Sequence, residues 1–275
     1  MKSYICITCG AQYAPSEKPP AGCKICLDQR QYVGWAGQQW TTLEEMWHAD
    51  YHNRIQEIEP GLIGIGTEPH FAIGQRSLLV QTGDGNLLWD PISYLDSRTV
   101  EAVHSLGGIS AIAVSHPHFY TSMVEWSLAF DNAPIYLPEA DQAWIMRPSD
   151  AIVFFKEKAR ILPGITVVRC GGHFPGSSVL HWQNGVDGQG ALLAGDTIMV
   201  AMDRKSVSFM YSYPNLIPLA PENVHHVVEA VQSLRFERVY SAWWDREITA
   251  GAQTIVADSA KRYAEFVSGS AYRNL

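Results

Sequence analysis

The chain has 275 residues, of which 47% are hydrophobic and 17% are charged. A chain of this length can bury a full core, so the composition suits one sizeable domain with a small appendage and excludes a disordered protein. The formal net charge of -8 excludes nucleic acid as the expected partner, because phosphate backbones are bound by clustered Lys and Arg.

The sequence predicts neither a membrane partner nor secretion. No apolar run reaches the ~18 residues that cross a bilayer. The start of the chain, Met1 to Cys9, lacks the basic region and the long apolar region of a signal peptide. We therefore expect a cytoplasmic protein. Thiols are kept reduced in that compartment, so paired cysteines there are more often metal ligands than disulfides.

The first motif along the chain is a set of four cysteines. Cys6 and Cys9 form one Cys-x-x-Cys pair, and Cys23 and Cys26 form a second pair thirteen residues later. Two such turns present four thiolates to one ion in a tetrahedral site. Two disulfides or four idle thiols are the alternatives, and both the spacing and the compartment disfavour them. The segment is too short to build its own core, so we expect the ion to hold it folded.

The stretch Tyr4–Gly10 together with Cys23–Cys26 resembles a zinc ribbon or a short rubredoxin-like module. We expect residues 1–35 to form this module and residues 40–275 to form the main domain. Four-thiolate sites accept zinc or iron. Iron would imply electron transfer, whereas zinc would imply a structural clip or a docking surface, and structural zinc is favoured.

From about Trp40 onward, apolar runs alternate with polar helical stretches. Leu78–Val80 and Leu87–Trp89, joined by a turn at Gly83–Asn86, are typical of a β-hairpin. The other predicted elements, in chain order, are a helix over Thr99–Leu106, strands over Ile109–Val114 and Ile135–Leu137, a helix over Ser149–Ala159, strands over Ile165–Arg169, Ser178–Trp182 and Ala191–Ala194, a helix over Glu222–Leu234, a strand over Arg238–Ser241 and a helix over Ala252–Val267. Strands and helices that interleave in this way predict a layered α/β domain.

Candidate metal ligands follow three of the predicted strands. His116 and His118 form a His-x-His pair after the first of these strands, His173 follows a later one, and Asp196 follows a third. Loops at strand ends gather the chemistry of α/β folds. Three imidazoles and one carboxylate suit a divalent metal ion. The His-x-His pair and the Gly-Asp-Thr motif are each weak evidence of a metal site when taken alone. Their shared placement at strand ends is what predicts the site.

The motifs Ser115–His118, Gly172–Ser177 and Gly195–Thr197 resemble the metallo-β-lactamase family in order and approximate spacing, over roughly residues 60–250. The resemblance implies an αββα sandwich with metals at one edge of two facing sheets. Family members hydrolyse esters, lactams, thioesters and nucleic acids. The resemblance also implies that His116, His118 and His173 bind the first metal and that Asp196 lies in the bridging position.

The sequence departs from the family pattern at the second metal. Tyr120 and Thr121 stand where the family has Asp and His. The late strand runs through Val239–Ala242 into Trp243, where the family usually has its last histidine. One aspartate does not hold a second ion, so we expect a single metal in the main domain, or none firmly held; Asp245 could compensate only in part.

The resemblance thus implies a metal-dependent hydrolase of a small ester, thioester or lactam-like substrate, with a mononuclear site. We expect Asp196 to act as ligand or proton acceptor and Tyr120 to donate a hydrogen bond to the developing oxyanion, although Tyr120 is equally compatible with a packed aromatic. Arg204 and Lys205 are candidates for receiving an anionic substrate, and Tyr211 is a candidate for lining the pocket. A solvated turn with core aromatics is the alternative for this segment.

Two other functional classes remain open at this stage. One is a non-catalytic metal-binding or protein-interaction member of the fold. The other is a redox protein with an iron-loaded cysteine module. The sequence leaves the oligomeric state open, including a homo-oligomer.

Overall fold

The computed structural model of the chain describes residues 1–274. The elements fall into two units, Met1–Phe155 (unit 1) and Lys156–Leu275 (unit 2). Among the described residues, no helix is both long enough and apolar enough to cross a bilayer.

Unit 1 contains a small two-stranded sheet, a seven-stranded sheet and short helices. Its strands are β1 (Ile5–Cys6), β2 (Trp40–Thr41), β3 (His52–Glu59), β4 (Leu62–Glu68), β5 (Arg76–Thr82), β6 (Gly85–Trp89), β7 (Ala111–Ala113), β8 (Ile135–Pro138) and β9 (Ile152–Phe155). Its α-helices are α1 (Leu43–Trp47), α2 (Ser97–Ser105) and α3 (Met123–Ala129).

The large sheet of unit 1 has the order β3-β4-β5-β6-β7-β8-β9. It is antiparallel up to β6, and β6, β7, β8 and β9 run parallel. Leu79 and Leu88, on the central strands β5 and β6, are fully buried, as expected of strands covered on both faces. The predicted hairpin is confirmed as β5 and β6. Ser115 and His116 follow shortly after the end of β7.

The small sheet of unit 1 carries the first cysteine. β1 pairs antiparallel with β2, with Ile5 opposite Thr41 and Cys6 opposite Trp40. The Ser93 hydroxyl donates a hydrogen bond of 2.9 Å to the carbonyl of Gly10. The cysteine segment is therefore anchored to the rest of unit 1 by this hydrogen bond and by the pairing of β1 with β2. The predicted division into residues 1–35 and residues 40–275 remains a prediction.

Unit 2 contains a six-stranded sheet with the order β10-β11-β12-β13-β18-β19 and two small two-stranded sheets. Its strands are β10 (Lys158–Leu162), β11 (Ile165–Arg169), β12 (Ser178–Trp182), β13 (Ala191–Gly195), β14 (Met199–Val200), β15 (Val207–Ser208), β16 (Met210–Ser212), β17 (Ile217–Pro218), β18 (Arg238–Ser241) and β19 (Glu247–Ile248). Its α-helices are α4 (Gly185–Gly188), α5 (Pro221–Val231) and α6 (Ala252–Val267).

The core of unit 2 joins the sheet to its two long helices. Leu192 and Val239, on the parallel pair β13 and β18, are fully buried beside Val227 of α5 and Val256 of α6. This layering is the α/β arrangement that the sequence predicts. It places the ends of β11 and β13 where His173 and Asp196 follow them in the chain.

The helix predicted over Ser149–Ala159 is wrong. The segment forms β9 and the start of β10. Ile152 pairs with Ile135 and Phe155 pairs with Pro138, which continues the parallel part of the sheet in unit 1. The run Ile152–Phe155 is β-branched and aromatic, and such side chains prefer strands. Its polar flanks suggested a helical period, but they are short turns.

Candidate metal sites

Four buried thiols meet in unit 1 and are called the cysteine clip: Cys6, Cys9, Cys23 and Cys26. Their sulfur atoms all lie within 4.8 Å of one another. The Sγ atoms of Cys6 and Cys26 are 3.5 Å apart, and so are those of Cys9 and Cys23. None of the four is in a disulfide within the described chain. The predicted convergence of the two pairs is confirmed.

The geometry of the cysteine clip fits a tetrahedral ion. A zinc–sulfur bond of ~2.3 Å places neighbouring sulfur atoms about 3.8 Å apart, close to the sulfur–sulfur distances in the clip. The Gln38 side chain donates a hydrogen bond of 3.2 Å to the Sγ of Cys6 and accepts one of 3.0 Å from the Cys23 amide. Neighbouring thiols hold the pKa of Cys6 well below its usual range. The clip is thus a candidate metal site.

The first half of the histidine set lies in unit 1, just after β7. His116 and His118 are both buried, and their ring centroids are 5.1 Å apart. His116 caps the start of the 3-10 turn Pro117–Phe119 and His118 lies within it, and the two rings meet edge to face. The Oγ of Ser115 lies 2.8 Å from the Nδ1 of His116. This contact orients the ring, and when Nδ1 donates to the hydroxyl, Nε2 has the lone pair that a metal needs.

Asp90 supports this loop from the end of β6. Its carboxylate accepts a hydrogen bond of 2.7 Å from the amide of Ser115. The residue has a φ of 53°, in the left-handed region that Asp tolerates better than most residues. Asp90 and Ser115 together fix the backbone that presents His116. Sequence reasoning missed Asp90, although an acidic residue directly after a predicted strand was a usable signal.

Tyr120 and Thr121 are the two residues that stand where the family pattern has Asp and His. Tyr120 is only 2% exposed, and its hydroxyl has no hydrogen-bond partner among residues 1–274. Burial, and then the nearby charge of Asp141, raise the pKa of Tyr120 well above its usual value, so the phenol stays protonated. The Thr121 hydroxyl donates to the carbonyl of Pro91 at 2.6 Å. Neither side chain is a cation ligand of the kind that Asp or His would be.

The second half of the histidine set lies in unit 2. The Nε2 of His173 is 3.8 Å from the Oδ2 of Asp196, and both residues are buried. The Nδ1 of His173 lies 3.0 Å from the carbonyl oxygen of Met210. A carbonyl can only accept, so Nδ1 carries the proton and Nε2 carries the lone pair that a metal needs. Sequence reasoning missed Met210, because a main-chain partner 37 residues away leaves no motif.

Asp196 is a buried acid in an apolar setting. Burial raises its pKa to about 8, because a charged carboxylate is costly away from water. A divalent cation beside it would favour the charged form. The Tyr213 hydroxyl donates a hydrogen bond of 2.8 Å to the Asp196 carbonyl oxygen. The centroid of the Tyr213 ring lies 5.8 Å from that of His173, so Tyr213 contacts both His173 and Asp196.

The donor chemistry of this set fits a divalent metal. Imidazole nitrogen and carboxylate oxygen are the usual ligands of catalytic zinc, which takes three protein ligands and keeps an open position. The chain therefore carries two candidate metal sites, the cysteine clip and the buried His/Asp set.

Two of the predicted substrate residues, Arg204 and Lys205, lie in the turn between β14 and β15, and Tyr211 lies in β16. Arg204 and Lys205 are exposed, and Asp203 accepts hydrogen bonds from the Lys205 amide and the Ser206 hydroxyl, which fix the turn. Tyr211 is half-buried and packs against the core of unit 2. A substrate role for these residues stays a prediction.

Three comparisons place the chain among known proteins. No family model matches the sequence. The uncharacterized protein YmaE of Bacillus subtilis (strain 168) is 47% identical over 274 residues, which cover 99% of each protein.

Solved metallo-β-lactamase structures match the fold at low sequence identity. The DIM-1 metallo-β-lactamase is 13% identical with a TM-score of 0.58, over 78% of this chain and 98% of its own. VMB-1 has a TM-score of 0.57 with the same identity and the same coverage of both chains. The metallo-β-lactamase from Cronobacter sakazakii is 15% identical with a TM-score of 0.52, over 80% of this chain and 95% of its own. The predicted α/β metallo-β-lactamase fold is confirmed.

Proposed function

Since the chain belongs to the family of YmaE and has the metallo-β-lactamase fold, we propose that it is a metal-dependent hydrolase of a small ester, thioester or lactam-like substrate. His116, His118, His173 and Asp196 hold one divalent metal ion in this proposal, with zinc favoured. The reduced thiols that the cysteine clip needs for its own zinc ion make a cytoplasmic location part of the proposal.

The observation that carries the proposal is the orientation of His173. Its Nδ1 faces the Met210 carbonyl at 3.0 Å, which commits Nε2 to accept, and Nε2 lies 3.8 Å from an Asp196 oxygen. A histidine that only fills a core does not need a fixed tautomer beside a buried acid. In unit 1 the Ser115 hydroxyl lies 2.8 Å from the Nδ1 of His116 and orients that ring without fixing its tautomer. Two buried histidines with oriented rings support a metal site.

In the proposed hydrolysis, the metal ion and the side chains of the protein have different roles. Zinc, when bound, supplies Lewis acidity and brings the pKa of water to about 7. Asp196 acts as ligand or proton acceptor in this proposal, because the ion beside it would keep the carboxylate charged although burial alone raises its pKa. Tyr120 donates a hydrogen bond to the oxyanion, which requires a phenol that stays protonated, and its raised pKa meets that requirement.

One metal rather than two is proposed for the main site. Tyr120 and Thr121 replace the carboxylate and imidazole of a second site, and the Thr121 hydroxyl is already engaged with the Pro91 carbonyl. Ser241 and Ala242 follow where a further histidine would be needed, and the Ser241 hydroxyl contacts the Val200 amide at 2.8 Å. Hydrolysis then relies on one Lewis acid and on hydrogen bonds from the chain.

The test is turnover of chromogenic ester, thioester and lactam substrates by zinc-loaded protein and by two histidine variants. His173→Ala removes a proposed ligand, and we expect turnover to fall at least about a hundredfold. His225→Ala is the matched control, because His225 is exposed on α5, and we expect its turnover to equal that of the wild type.

Two outcomes contradict the proposal. Equal turnover by the wild type and His173→Ala would place any activity outside the proposed site. Absence of turnover on all three substrate classes by zinc-loaded wild type would favour a non-catalytic metal-binding protein.

A further inference from the structure

We infer that the metal in the cysteine clip also fixes the histidine loop (residues 115–121). Gln12 and Lys24, which lie next to the clip cysteines in the chain, contact the end of this loop and the segment 139–147. The contacts that carry this inference all lie within unit 1. It does not rest on the proposed hydrolase activity or on a metal at the histidine set.

The first link joins the clip to the end of the histidine loop. Gln12 lies three residues after Cys9, and its amide donates a hydrogen bond of 3.2 Å to the carbonyl of Thr121. The Gln12 side chain donates a second one of 3.3 Å to the Glu125 carboxylate. The Arg147 guanidinium donates to both the Gln12 and the Glu125 side chains. One residue of the clip segment therefore ties the histidine loop to residue 147.

The second link joins the clip to the segment 139–147. Lys24 lies inside the second cysteine pair, and its ammonium group donates to the Ala143 carbonyl and lies 5.0 Å from the ring centroid of Trp144. The Arg30 guanidinium lies 5.7 Å from the same ring. Trp144 and Met146 pack directly against the buried cysteines. The segment 139–147 therefore packs against the cysteine clip.

The two linked segments are also joined directly. Glu125, four residues after Thr121, pairs with Arg147 at the end of the segment 139–147. Asp141, in the 3-10 helix Glu139–Trp144, is fully buried, so this helix packs firmly into unit 1. The clip thereby acts on the loop that also carries His118.

The ion is needed because the cysteine segment has little else to order it. The fully buried core around the clip holds only the four cysteines with Ala11 and Ile25, and the larger hydrophobic side chains packed against it are only partly buried. Four thiols without an ion do not replace metal–sulfur bonds, and segments of this kind fold with their metal. Loss of the ion should release Gln12 and Lys24 together, and with them both segments.

The test is hydrogen exchange on the full-length protein, with metal content measured on the same samples. The variant Cys23→Ser/Cys26→Ser removes the clip zinc. We expect about tenfold faster exchange in peptides covering residues 115–125 and 139–147. Exchange in β5, in the same unit, should stay unchanged. The control Trp35→Ala changes a fully exposed side chain of the cysteine segment and should leave zinc content and exchange as in the wild type.

A second variant keeps the inference testable if the cysteine variant does not fold. Gln12→Ala/Lys24→Met keeps all four cysteines and removes only side-chain links. We expect it to keep the clip zinc and still to show faster exchange in both peptides. Unchanged exchange in a folded cysteine variant that has lost its zinc overturns the inference. So does unchanged exchange in the link variant.

Discussion

Polar atoms at the candidate sites are oriented by single, identifiable partners. The Ser115 hydroxyl lies 2.8 Å from the Nδ1 of His116, and the Met210 carbonyl oxygen lies 3.0 Å from the Nδ1 of His173. Such outer contacts orient the ring of a metal-binding histidine. Tyr120 differs, because its hydroxyl is buried without a hydrogen-bond partner in the described chain. A buried unpaired hydroxyl lowers stability, so its presence calls for a role outside folding.

The change Tyr120→Phe separates that role from packing. Removing an unpaired buried hydroxyl should leave the free energy of unfolding unchanged or raise it by up to about 1 kcal/mol. Loss of an oxyanion donor should lower kcat about a hundredfold or more, with KM little changed. Urea unfolding and steady-state kinetics on one preparation measure both effects. The control Tyr32→Phe, on a half-exposed ring, should change neither. A Tyr120→Phe enzyme with wild-type kcat would leave Tyr120 as a packed aromatic.

Most individual elements were predictable because their local and tertiary preferences agree. The strand Arg238–Ser241 and the helix Ala252–Val267 have the predicted bounds. The segment Ser149–Ala159 was mispredicted, although the β-branched and aromatic run Ile152–Phe155 favours a strand locally. Its pairing with β8, which the sequence alone does not reveal, completes that strand.

The candidate sites show the same division between local and distant information. Cys-x-x-Cys and His-x-His are local patterns, so their residues were found from the sequence. The partners that orient them are distant or belong to the main chain, as with Asp90, which lies 25 residues before Ser115. Asp90 could have been noticed for its place after a predicted strand, but its pairing with Ser115 leaves no spacing to read in one sequence. The fold, the cysteine cluster and the four buried His and Asp residues were therefore predictable, whereas the contacts that orient them were not.

The glycine turn before His173 gives a prediction at the level of the element. Gly172 has a φ of 88°, and a Cβ there would lie 3.1 Å from side-chain atoms of Leu219 and Val227. Gly172→Ala should therefore lower the free energy of unfolding by about 1–3 kcal/mol, through the strained backbone and the tight contact. Gly83→Ala is the control, because a Cβ at Gly83 meets nothing within 4 Å. Equal unfolding midpoints in urea for both variants would contradict this reason for the glycine.

For the whole molecule, the two units contribute differently to the proposed function. Unit 1 holds the cysteine clip, His116 and His118, and unit 2 holds His173 and Asp196. The metallo-β-lactamase fold is shared with hydrolases such as DIM-1, but at 13% identity that likeness shows architecture alone. Beyond that architecture, the chain carries the candidate four-cysteine site in unit 1.

The metal content of the purified protein tests the central claim, which is one ion in the cysteine clip and one at the histidine set. We predict two metal ions per chain by elemental analysis, with zinc in the clip. Cys23→Ser/Cys26→Ser and His173→Ala should each retain one ion, and the two sets of changes together should retain none. Three ions per chain would contradict the single-metal main site, and two ions retained by His173→Ala would contradict the histidine site itself.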